Sequence, residues 1–169
     1  MSDRKLPLTE SAEKEILRRC WYSHDGHWFV GVAGEFGMDV ANRLNRRALR
    51  AQGRTEARRL LKAFGVSEVR GLDEFLRFFQ AVRRILVPSP DTGIQLRVVD
   101  DRSYELTVER CFVHESVVRA GNPEGYVCAV FDRIAGWHDG AGLPLAEEPP
   151  ARPCAKAAGR ACRRILAVP

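Results

Sequence analysis

The stretch Ile94-Gln95-Leu96-Arg97-Val98-Val99-Asp100-Asp101-Arg102-Ser103-Tyr104-Glu105-Leu106-Thr107-Val108 decides the fold, because hydrophobic spacing changes there from helical to alternating. Ile94, Leu96 and Val98 share one face, and so do Tyr104, Leu106 and Val108. Asp100 to Ser103 supplies turn residues between them, so the stretch reads as an antiparallel hairpin. Upstream every period is helical. Gly71 to Leu86 carries an apolar stripe of Leu72, Phe75, Phe78, Phe79, Val82 and Leu86, and Pro88 and Pro90 stop it. Before it, Thr55 to Phe64 reads as a helix closed by Gly65. Trp28 to Ala51 reads as another, bent or broken near Gly34 and Gly37 and ended by Gly53. A first helix starts at Thr9 or Ser11 and is interrupted at Asp25-Gly26. Downstream, Phe112 to Arg119 is open between helix and coil, and Gly121-Asn122-Pro123 is a turn. Tyr126 to Trp137 is helical, and Cys162 to Val168 is a strand.

These elements make an α+β fold with N-terminal helices packed on a small antiparallel sheet. A chain of 169 residues fits a single domain, mainly helical over 1–88 and bearing the hairpin, a helix and the cysteines over 89–169. With 45% hydrophobic and 29% charged residues, a packed core is expected rather than a disordered chain. The net charge of +5 comes mostly from arginines between Arg43 and Arg84. They read as a solvated helix face, and nucleic-acid binding ranks last because no recognition-helix pattern accompanies them. No secretory signal or membrane-spanning run is visible, so we expect a cytoplasmic protein with no membrane partner. A homodimer is left open.

In a reducing compartment, cysteines read as metal ligands before disulfides, and five is an odd number. Cys154 and Cys162 flank a turn around Ala158-Gly159-Arg160. Cys128 falls in the first turn of the expected helix from Tyr126, where a thiolate is favoured, and Cys111 ends the second hairpin strand. Together they form a four-thiolate set suited to tetrahedral structural zinc, with iron-sulfur ranked behind. Cys20, on an apolar helical face, is assigned to the core.

The run Gly125-Tyr126-Val127-Cys128 followed by Pro153-Cys154-Ala155-Lys156-Ala157-Ala158-Gly159-Arg160-Ala161-Cys162 resembles the C-terminal signature of the 4-vinyl reductase domain family. The resemblance covers the last third of the chain. It implies an α+β small-molecule-binding domain with cysteine-bound zinc completed by a glutamate. Three residues before Cys154 that glutamate is Ala151 here, so Cys111 takes its place, with Glu148 in reserve. Trp21-Tyr22-Ser23-His24-Asp25-Gly26-His27-Trp28-Phe29 is similar to an uncharacterised bacterial and archaeal family with an Asp-Gly-x-Trp-Phe motif. It also looks distantly like hydrolases of 2-aminothiazoline-4-carboxylate.

We therefore expect a non-catalytic, metal-stabilised binding domain for a small apolar or aromatic molecule, with Trp21, His24, Trp28, Phe29 and Tyr126 contacting the ligand. The alternative is a hydrolase of a small cyclic substrate that uses a metal-bound water or a Cys128 thiolate. His24, Asp25 and His27 can serve as acid, base or ligand, but we read them first as a helix junction with Asp25 as its cap. His114 and Glu115 lie near Cys111 in sequence as further donors.

Overall fold

The computed structural model describes residues 8–87, 93–121 and 124–169. The stops at Pro88 and Pro90 and the Asn122-Pro123 part of the expected turn lie outside these residues. The order is α1 (Glu10–Phe36), α2 (Met38–Phe64), α3 (Gly71–Leu86), β1 (Ile94–Val98), β2 (Ser103–Val108), α4 (Phe112–Arg119), α5 (Val130–Gly140) and β3 (Cys162–Ala167). The three strands form one antiparallel sheet with β2 central. Leu96 stands opposite Leu106, and Cys162 opposite Val108. The chain thus has the expected α+β architecture, including the hairpin and the apolar stripe of α3.

In the N-terminal half, two helix boundaries differ from expectation. Asp25-Gly26 does not interrupt α1, which runs unbroken to Phe36. A mid-helix glycine costs only about 1 kcal/mol relative to alanine, and packing readily outweighs it. The joint falls at Gly37, whose φ of 84° and ψ of 162° suit glycine. Gly53 does not end a helix either. It lies within α2, where a methyl group would strike the Arg133 carbonyl of α5. The same holds at Gly136 against the Arg50 carbonyl, and at Gly140, whose added carbon would stand 2.6 Å from the Arg54 carbonyl. Three glycines thus let α2 and α5 approach backbone to backbone.

That approach also gives the arginines of α2 partners. Arg46 pairs with Asp132 at 2.9 Å, while Arg50 at 2.6 Å and Arg54 at 2.7 Å share Asp139. Most of the basic stretch is solvent-exposed as expected, but these three arginines form a polar seam between two helices. Deeper in the seam Glu56 and Arg133 are 8% and 7% exposed. Two parallel hydrogen bonds of 2.9 and 2.7 Å join them, the bidentate geometry that makes such pairs strong. Trp137 Nε1 donates to Glu56, and Arg133 Nη1 donates to the Tyr22 hydroxyl. Burial alone works against the Arg133 charge, but Tyr22 and Glu56 hold it protonated.

The main core joins Phe75, Phe79 and Val82 of α3 to Tyr104 and Leu106 of β2 and Trp137 of α5. Fully buried His138 stacks on Phe75, with centroids 3.6 Å apart. Its Nδ1 lies 2.9 Å from the Leu143 carbonyl oxygen and its Nε2 2.8 Å from the Tyr104 hydroxyl. A carbonyl only accepts, so Nδ1 carries the proton and Nε2 accepts from the tyrosine. This is the neutral ring, and burial lowers its pKa to about 4.

A free histidine titrates near ~6.5, so the unfolded chain takes up this proton first. The stabilisation from a neutral ring is complete above that pH and is lost as pH falls toward about 4. Its full size is about 3 kcal/mol. Urea midpoints of the wild type are expected to fall between pH 7 and pH 4.5. A His138→Phe variant, although less stable at neutral pH, should fall less over the same interval. Parallel pH curves for the two proteins would refute the assignment.

Candidate functional site

Four local arrangements bring the cysteines together. Cys162 opens β3 opposite Val108, and Cys111 follows the end of β2 as the N-cap residue of α4. Cys128 lies two residues before α5, not in its first turn, and its amide donates to the Arg152 carbonyl at 3.2 Å. Beside it, a bridge between Val127 and Pro153 sets Cys154 near Cys128. Asn42 of α2 fixes this segment by donating to the Gly125 carbonyl at 2.7 Å and accepting from the Val127 amide at 2.9 Å.

As a result Cys111, Cys128, Cys154 and Cys162 border one cavity of about 230 Å³. His114 Nδ1 is 3.7 Å from the Cys154 sulfur. Among the described residues, no group of three or more His, Cys, Asp or Glu side chains is arranged so that it could hold a metal ion. The sulfurs share a cavity without forming a ready-made cage. Glu148, the reserve ligand, instead pairs with Arg50 at 2.6 Å, and Glu115 pairs with Arg110 at 2.7 Å. Cys20 is exposed rather than in the core. On the unbroken α1 it lies outside the inward stripe.

Burial pushes the Cys128 thiol up to about 12, and charge on the neighbouring sulfurs adds to the rise. Cys111 and Cys162 are raised for the same two reasons. The position ahead of α5 therefore does not yield the expected thiolate: desolvation outweighs the Val130 amide that faces the sulfur. At neutral pH Cys128 by itself is a protonated thiol and not an activated nucleophile.

A second, larger cavity of about 420 Å³ adjoins the first. Val108, Cys111 and Val130 border both. Phe29, Tyr126, Phe79 and Ile134 supply apolar wall, and Phe29 meets Tyr126 edge to face with centroids 5.4 Å apart. Tyr22, Asp25 and Arg133 are among the polar groups that border the space. Burial raises the Asp25 carboxyl, against the opposing effect of His24.

Of the five residues expected to touch a ligand, Phe29 and Tyr126 border this cavity, but Trp21, His24 and Trp28 do not. The continuity of α1 explains the difference. At ~100° per residue, Tyr22, Asp25, Gly26 and Phe29 form the inward stripe, while positions 21, 24 and 28 lie on the next stripe round. Trp28 is accordingly 49% exposed. The His24 side chain faces outward with its Nδ1 3.6 Å from Asp25. The Trp21 ring instead lies 5.3 Å from the Arg133 guanidinium carbon. Tyr22 and Arg133 escape the sequence reading, which names Asp25 as an acid, base or ligand but reads it first as a helix cap. A spacing of three and four through Asp25-Gly26 was the available signal, hidden by the turn propensity of that dipeptide.

The model of a family of unknown function, DUF6125, matches residues 10–124. The chain belongs to the DUF6125 family. The matched stretch runs from α1 through α4, so it contains the Asp25-Gly26-His27-Trp28-Phe29 run and Cys111 and ends before Cys128. No curated protein matches the chain, and no solved structure does. Among the described residues, no helix is long and apolar enough to cross a membrane.

Proposed function

We propose that this DUF6125 protein is a non-catalytic binding domain. Its 420 Å³ cavity takes a small apolar or aromatic molecule, and a metal ion, zinc by preference, bound by Cys111, Cys128, Cys154 and Cys162 fixes the elements that close the cavity. The observation that carries the reading is the shared wall: Cys111 belongs to both cavities. Apolar lining with a few convergent polar groups is the usual character of a small-molecule site. The resemblance of the C-terminal third to the 4-vinyl reductase domain family supports the same reading. Thiols raised by burial and by one another gain from a cation, which favours their deprotonated form. Ligation would draw the four sulfurs together, which couples metal binding to folding of the C-terminal part.

The test is elemental analysis and calorimetry of protein purified under reducing conditions. About one zinc per chain is expected. A Cys154→Ser/Cys162→Ser variant should lose it and melt about 4–8 °C lower, consistent with a loss of ~2 kcal/mol in a domain of this size. A stable wild-type protein that takes up no zinc would refute the metal. Aromatic probes such as naphthalene should quench tryptophan emission through Trp137, which borders the cavity. A Phe29→Ala variant should change their affinity.

A further inference from the structure

The surroundings of the four cysteines contain more donors and positive charge than neutral thiols can use. Arg152, Lys156, Arg160, Arg163 and Arg164 border the cavity, and among the described residues no carboxylate does. Arg164 lies with its guanidinium carbon 4.1 Å above the Phe131 ring, and its Nη1 is buried with no hydrogen-bond partner. A buried donor without a partner costs about 1–3 kcal/mol, so its retention calls for an acceptor. Cys128 and Cys162 are close enough to influence its charge. Tyr126 is 4% exposed. Its oxygen faces the Ala129 amide, and its side chain packs in one cluster with Cys154 and Cys128. Two helix starts adjoin the cavity, since Cys111 is the N-cap residue of α4 and Cys128 lies two residues before α5.

From this convergence we propose, resting on the metal reading above, that the cavity is built for an anionic metal–thiolate group. In this arrangement Arg164 and Tyr126 are positioning residues that donate hydrogen bonds to its sulfurs. Four thiolates around a divalent cation leave a net charge of about −2. A thiolate is an acceptor for charge-assisted hydrogen bonds, whereas a thiol is a weak one. Arg164 sits two residues after Cys162, on the same side of β3, and Tyr126 two residues before Cys128, so each donor is tied to a ligand by the backbone that places it. Free thiols in a closed apolar pocket would call for neither.

The experiment is a cobalt(II) titration of the reduced, metal-free full chain, followed by the sulfur-to-cobalt charge-transfer absorption and by competition with zinc. Wild type, Arg164→Gln, Arg164→Lys and Tyr126→Phe are compared, and the melting temperature of each metal-free protein serves as a folding control. Support consists of charge-transfer bands in the wild type and ~10–100-fold weaker cobalt binding in Arg164→Gln and Tyr126→Phe, at unchanged metal-free melting temperature. Arg164→Lys should recover part of the affinity. Equal affinities across the series would overturn this proposal and leave the metal site standing. A wild type that binds no cobalt or zinc would overturn both. Saturable binding of inorganic phosphate at the cavity, abolished in Arg164→Gln and without cobalt bands, would show that the positive wall serves an external anion and would also overturn it.

Discussion

Replacing Arg133 with methionine is expected to destabilise the protein by about 3–5 kcal/mol, a large fraction of the about 5–15 kcal/mol by which such domains are stable. The cause is the carboxylate left behind. Glu56 is 8% exposed, and without Arg133 it keeps only Trp137 Nε1 at 2.7 Å and Gln52 Nε2 at 2.9 Å as donors. A buried charge stripped of its counter-ion loses far more than the pair contributes in net terms. Tyr22 keeps its bond to the Leu86 carbonyl but loses the one from Arg133, so the same change loosens α1 against α5. The double variant Arg133→Met/Glu56→Leu should recover most of the loss, because two apolar groups need no counter-charge. Urea denaturation of both variants decides the matter. A single variant within 1 kcal/mol of the wild type would mean that water reaches the Glu56 site.

The second large effect concerns a change that ordinarily stabilises helices. Gly→Ala within a helix gains about 0.5–1 kcal/mol, and Gly31→Ala, with no atom within 4 Å of the added carbon, should show that gain. Gly136→Ala should reverse the sign and cost about 3 kcal/mol, at the upper end for overpacking. Its methyl group would meet the backbone of Arg50, and backbone cannot rotate aside as a side chain can. Relief requires α2 and α5 to separate. The Arg46, Arg50 and Arg54 ion pairs and the Glu56–Arg133 pair all cross that seam. Melting temperatures of the two variants should therefore move in opposite directions, and a stabilising Gly136→Ala would show that the helices are not held as closely as the glycines indicate.

Legibility in the sequence followed the range of the interactions. The stripe of α3 and the alternation of β1 and β2 are local, because one buried face imposes its period on the residues themselves. The glycines are the opposite case. Gly53 carries the same chain-breaking signature as Gly65, yet Gly65 closes α2 in the left-handed conformation while Gly53 lies inside it against α5. Nothing within a few residues of Gly53 announces a partner more than eighty positions away. The Asp25-Gly26 misreading has the same origin, and it rotated the expected ligand contacts by one stripe of the helix.

The sequence by itself determined the α+β class, the hairpin and the apolar faces, because backbone geometry and side-chain periodicity act over a few residues. It also named the four cysteines as a set. Only the tertiary structure decided that they border one cavity, that this cavity shares Cys111 with a larger apolar one, that Arg133 and Glu56 are buried, and that one guanidinium nitrogen of Arg164 is. Convergence and burial depend on how helices and sheet pack, and packing is settled by contacts between residues far apart in the chain.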